Sequence, residues 1–173
     1  SLEEIGPENL NDGDIILTND PYLTGTHISD TAIYIPVFYR GDLVAFTGIM
    51  AHWADIGGIT PGGWCPFSTN VHQEGMRFLH HKLYDAGVPN RELLTLISNN
   101  VRLPNVVEGD LHAKIVACKT GARRYQALCD RYGAVTLERA MEIVFDQSES
   151  WRNIKDFENN SGWIHISQLS DKK

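Results

Sequence analysis

Long apolar runs are missing from this sequence. No stretch approaches the ~20 residues that a membrane span needs, and no signal-peptide pattern opens it. Cysteine is scarce: Cys65, Cys118 and Cys129 form no CxxC pair. Cys118 and Cys129 fall in one apparent helix, where their spacing amounts to roughly 16 Å of rise, too far for a disulfide. Buried free thiols and a reducing, cytoplasmic setting are therefore expected. Basic residues are outnumbered, 15 against 22 acidic, for a net charge of −7. A nucleic-acid binder needs a basic face, so that class is set aside. Neither a Walker A loop nor GxGxxG occurs, and a nucleotide would have to bind another chain. Nucleophile motifs are lacking too. There is no GxSxG elbow, Ser68-Thr69 has no fixed base, and Cys65 has no histidine partnered to it in sequence.

What is present reads as one globular domain. The chain has 173 residues, 42% of them hydrophobic and 21% charged, enough for a core and unlike a disordered segment. From Gly13 to Leu103 short strands alternate with glycine and proline. Asp14–Thr18 is an apolar strand stopped by the turn Asn19-Asp20-Pro21-Tyr22. Residues 31–39 and 43–50 are rich in β-branched and aromatic residues, and the turn Arg40-Gly41-Asp42 joins them into an antiparallel hairpin. Residues 55–63 (DIGGITPGG) form a glycine-rich loop.

The second half is helical. Asn90 caps a helix through Ser98, limited by Pro104. Leu111, Ile115, Cys118, Ala122, Tyr125 and Cys129 repeat at three and four, predicting a helix from about Val107 to Tyr132 that Gly133 ends. Thr136 is expected to cap a third helix through about Ser150. The fold class is α+β, with antiparallel strands and glycine-rich loops in front and helices behind.

The hairpin has a chemical consequence. With the turn at Arg40-Gly41-Asp42, facing residues have numbers that sum to about 82, and Asp30 with His52 meets that condition. A carboxylate and an imidazole reach the same end of adjacent strands, with His27 just beyond. Two imidazoles and a carboxylate are a ligand set of catalytic zinc, manganese or non-haem iron centres. Asp55 and Asp20 are candidates to orient a ligand or to act as general base. Against this, an HxxD pair also arises by chance, and histidines at strand ends are commonly hydrogen-bonded surface residues. His72, His80 and His81 are further candidates, but consecutive strand residues face opposite ways, so His80 and His81 cannot both ligate. His112 reads as a surface residue and His165 as structural. Trp53 and Trp64 flank the glycine loop, either as a substrate platform or as packing.

At these residues the sequence resembles a family. Residues 13–22 (GDIILTNDPY), Gly25-Thr26-His27 with Asp30, residues 51–58 (AHWADIGG), Pro61-Gly62-Gly63-Trp64, Gln73-Glu74-Gly75, Lys82-Leu83-Tyr84, residues 100–104 (NVRLP) and Gly109-Asp110-Leu111 follow one another. In this order they are similar to the hydantoinase B/oxoprolinase family, over about residues 3 to 150. That family includes the B-type component of N-methylhydantoinase, 5-oxoprolinase and the acetone carboxylase α subunit. The resemblance implies the N-terminal portion of a metal-dependent cyclic-amide hydrolase subunit, with the metal on His27, Asp30 and His52. It also implies an oligomeric complex with a hydantoinase A-type partner that uses ATP to activate the substrate carbonyl. The PGGW and QEG segments fit hydantoinases and oxoprolinases better than ketone carboxylases, the alternative enzyme. A further alternative is a non-catalytic module that serves only in binding or assembly.

The last residues differ. Residues 151–173 (WRNIKDFENNSGWIHISQLSDKK) resemble the closing strands of a bacterial SH3-like domain. Two parts are therefore expected: a partial hydantoinase B-like domain over 1–150 and an appended fragment over 151–173.

Overall fold

The computed structural model describes residues 5–23 and 26–155, with side chains through 148. The expected fragment over 151–173 falls almost wholly outside the described residues. The chain divides into two compact units, Ser1–Ala127 and Leu128–Lys173.

The first unit is built on a five-stranded antiparallel sheet of order β3-β2-β1-β4-β5. The central strand β1 (Ile15–Thr18) is buried at every position. That is why its sequence is continuously apolar instead of alternating. β2 (Asp30–Tyr39) and β3 (Asp42–His52) form the expected hairpin, each reaching slightly further than its β-branched run suggests. Arg40 (φ 55°) and Gly41 (φ 96°) both adopt left-handed backbone, as a two-residue turn matched to sheet twist demands. Asp30 faces His52, as the turn position predicts, and a register shift at Val37/Phe38 absorbs one residue near the turn. β4 (His81–Asp85) and β5 (Val88–Pro89) complete the sheet. His80 lies just outside β4 with φ 46°, so the histidine pair is not a continuous strand.

Asn19 explains the strand-ending turn. Its buried side chain donates to Ile28 O (2.7 Å) and Met76 O (2.9 Å) and accepts from Phe78 N (2.6 Å). One amide thus ties together two loops that lack ladder partners.

Helix α1 (Arg91–Asn99) is capped by the Asn90 side chain, which accepts from Leu93 N at 3.1 Å. It buries Leu93 and Ile97. Helix α2 (Pro104–Tyr132) begins earlier than the apolar repeat suggests. Pro104 opens it instead of only limiting α1, because the first helical position has no intrahelical use for an N–H. Val107, Leu111, Ile115 and Cys118 join Ile15, Leu17, Ile33 and Ile35 in one core. α2 runs along the hairpin. Thr47 Oγ1 donates to Cys118 O (3.0 Å), and Gln126 Nε2 donates to Phe38 O (2.9 Å) near the turn. All three cysteines are free, and Cys118 and Cys129 are buried.

In the second unit, helix α3 (Ala134–Lys155) follows Gly133, whose φ is 85° and whose N–H donates to Cys129 O at 2.8 Å. α3 starts two residues before Thr136, so that residue is not its cap, and continues five residues past Ser150. Among the described residues, no helix is long and apolar enough to cross a membrane.

Candidate metal centre

The alternation of side chains along a strand separates two tasks at the open end of the hairpin. Thr31, paired with Ala51, turns its hydroxyl to Lys114 of α2, so the neighbouring pair Asp30 and His52 projects from the opposite face. There, His52 Nε2 lies 3.1 Å from Asp30 Oδ1. His27 precedes the strand in a tight turn, where Asp30 N donates to His27 O at 3.0 Å. The turn brings His27 Nδ1 to 3.3 Å from Asp30 Oδ2. The three ligand-type atoms lie within 4.8 Å of one another.

Asp30 is the anchor of this group. It is buried, whereas the two imidazoles are about half exposed. Its Oδ2 accepts from Thr26 N (3.1 Å), Thr26 Oγ1 (3.3 Å) and His27 N (3.0 Å). Burial raises its pKa, but those backbone donors and the nearby His52 outweigh burial and hold the carboxyl below its ordinary value. The result is a fixed anion with two adjustable imidazoles facing it. Such a donor set fits a divalent cation. Ligand atoms at about 2.0–2.2 Å from one ion stand at most roughly 4.4 Å apart, within reach of a small rotation of an exposed ring.

The other sequence candidates separate from the trio. Asp55 is buried, and both oxygens are engaged by Arg102: Oδ2 accepts from the backbone N (2.5 Å) and Oδ1 from Nη1 (2.9 Å). Arg102 Nη2 also donates to Gly58 O at 2.6 Å, so this pair fastens the glycine loop. Asp20 Oδ1 accepts from Tyr22 N (2.9 Å), and Oδ2 lies 3.6 Å from Arg77 Nε. Its carboxylate shapes the turn after β1. His72 sits in a 3₁₀ turn, and the His80 ring pairs with the Tyr34 hydroxyl. His112 is exposed on α2. None of these histidines joins the cluster. His165 lies outside the described residues.

Sequence reasoning missed Lys114. This lysine is 4% exposed. Its Nζ donates to Thr31 O (2.9 Å), Thr31 Oγ1 and Ala51 O (2.7 Å), and lies 5.5 Å from the centre of the Trp53 ring. It ties together the two strand ends that carry Asp30 and His52, from the opposite face. Burial lowers its pKa to about 8, against the opposing pull of Asp110 and Asp30. A signal was present: Lys114 falls three residues after Leu111 and four before Cys118, on the apolar stripe of α2.

The comparisons with known proteins bear on this geometry. The family model for hydantoinase B/oxoprolinase matches residues 1–159. The chain belongs to this family. It is 38% identical over 144 residues to a putative D-/L-hydantoinase of Pseudomonas sp. (strain NS671), in its B-type component, covering 82% of this chain and 24% of that protein. It is 40% identical over 142 residues to the beta component of the caprolactamase of Pseudomonas jessenii, with the same coverage of 82% and 24%. The crystal structure of ATP-dependent caprolactamase from Pseudomonas jessenii superposes with a TM-score of 0.81 at 36% identity, over 86% of this chain and 26% of that one. This hydantoinase B/oxoprolinase chain thus spans about a quarter of the length of these relatives.

Proposed function

We propose that the chain forms the metal-binding portion of a B-type subunit in an ATP-dependent cyclic-amide hydrolase that opens a hydantoin or lactam ring. The observation that carries this reading is the convergence of His27, Asp30 and His52 at the open end of the hairpin, in a chain related to hydantoinase and caprolactamase subunits. His27, Asp30 and His52 would hold a divalent ion such as manganese, zinc or iron, which when bound supplies Lewis-acid polarisation of a carbonyl or a water of lowered pKa. Asp30 fixes the position of the centre through its backbone-held Oδ2, while the imidazoles supply neutral donors on its open side. Asp55 and Asp20 would act here by positioning the backbone around the trio: Asp55 holds the glycine loop through Arg102, and Asp20 holds the turn before His27. ATP is used on a hydantoinase A-type partner, which activates the ring carbonyl.

The test combines metal analysis of the purified chain with turnover of hydantoin, 5-oxoproline and caprolactam in the presence of ATP and an A-type partner. ATP-dependent ring opening that disappears with His52→Ala is the expected result. Carboxylation of a ketone with ATP and bicarbonate, without ring opening, would move the assignment to the ketone carboxylases, since an acetophenone carboxylase delta subunit is 31% identical over 134 residues. Metal-free protein inactive in both assays would leave a binding module.

A further inference from the structure

Trp53 and Trp64 flank the same loop but differ in environment. Trp53 is 2% exposed and belongs to the core, whereas Trp64 is 68% exposed. The Trp64 indole nevertheless stands against a candidate ligand: its ring centre lies 4.9 Å from that of His27, tilted by 50°. Exposed apolar side chains such as Phe67 and Tyr22 are common on this surface, so what singles out Trp64 is its ring contact with His27 and not its exposure.

The loop that carries Trp64 is glycine-rich yet fastened. Gly57 pairs with Gly75, Ile59 N donates to Gln73 O (2.9 Å), and Gly58 O accepts from Arg102 Nη2 (2.6 Å). Thr60 Oγ1 donates to Trp64 O at 3.0 Å. Gly63 has φ 70°, and a Cβ there would stand 2.3 Å from Ser29 Oγ. Only glycine lets the backbone press so closely against the segment between His27 and Asp30. The indole is therefore presented to the trio from a backbone already ordered, which lowers the entropy lost when a ligand packs on it.

A cyclic amide has a polar edge, its carbonyl and N–H, and apolar ring faces. An edge directed at the trio leaves a face to be covered, and an aromatic surface beside His27 suits that need. Building on the function proposed above, we propose that Trp64 is the apolar wall on which the substrate ring packs, a specificity-determining residue that favours compact rings over open-chain amides.

The experiment uses the full 173-residue chain loaded with Co(II). Titrations with 2-pyrrolidinone, ε-caprolactam and the open-chain amide N-methylacetamide are followed by Co(II) absorption. Trp64→Ala should keep the Co(II) stoichiometry but bind both rings at least ~10-fold more weakly, with N-methylacetamide little changed. Trp64→Phe, which restores an aromatic face, should stay within about threefold of wild type. Wild type that retains no Co(II) overturns the metal centre and this inference together. Unchanged ring affinity in Trp64→Ala, loss of Co(II) in that variant, or a Co(II)-loaded wild type that binds neither ring overturns the role of Trp64 alone.

Discussion

Asp30 is the one member of the trio held by the backbone, and the imidazoles are replaceable only at the expense of donors. His52→Ala should remove one donor and most of the bound metal, while His112→Ala, on an exposed part of α2, should change nothing; elemental analysis of the purified variants compares them. Lys114 offers a separate handle. Its folded pKa of about 8 lies below the ordinary 10.5, so between those values the unfolded chain keeps a proton that the folded chain has released. The stability linked to Lys114 is then fully present above pH ~10.5 and lost as the pH falls towards 8. Urea unfolding at about pH 8, 9 and 10 should show wild type gaining stability relative to Lys114→Met as the pH rises. A constant difference across that window would mean that Lys114 keeps an ordinary pKa in the folded chain.

The elements that place the site are a hairpin and a loop, and they are secured differently. The hairpin is fixed by register, because a slip of one residue would turn Asp30 and His52 to the helix side and Thr31 and Ala51 to the outer face. The loop over residues 55–64 has only an isolated bridge, Gly57 with Gly75, and is fastened besides by backbone bonds to residues 73–76 and by the Asp55–Arg102 pair. Asp55→Ala should therefore unfasten the loop and leave Arg102 N without its acceptor, costing roughly 1.5–3 kcal/mol. The expected signature is a lower Tm with metal content largely retained. Loss of activity with an unchanged Tm would instead give Asp55 a chemical role.

At the scale of the molecule, the trio, Lys114 and the Asp55–Arg102 pair all lie in the unit Ser1–Ala127. Removing residues 151–173 should leave the metal-to-protein ratio unchanged, as measured by elemental analysis alongside circular dichroism. A folded truncation that has lost its metal would make the C-terminal segment part of the site. The matched 144 and 142 residues make up 24% of the hydantoinase and caprolactamase relatives, which are therefore about 3.5 times as long as this chain.

Local chemistry made much of this legible in the sequence alone. The turn at Arg40-Gly41-Asp42 put Asp30 opposite His52 to within one residue, but the observed two-residue turn alone would face Asp30 with Ala51, and the bulge at Val37/Phe38 restores the Asp30–His52 pairing. The Asn90 cap and the apolar stripe of α2 were likewise local signals. What depends on contacts between distant segments was not legible. β4 pairs with β1 more than sixty residues away, and Pro104 could be taken as a helix stop until its place at the first turn was seen. The division of labour between Trp53, buried in the core, and Trp64, exposed on His27, follows from how the loop folds back. The place of Lys114 beneath the strands that carry Asp30 and His52 was decided only when α2 packed on the hairpin, since a lysine's burial depends on carbonyls contributed by other elements. The sequence therefore determined which ligand-type residues could meet, and the tertiary structure decided what supports and surrounds them.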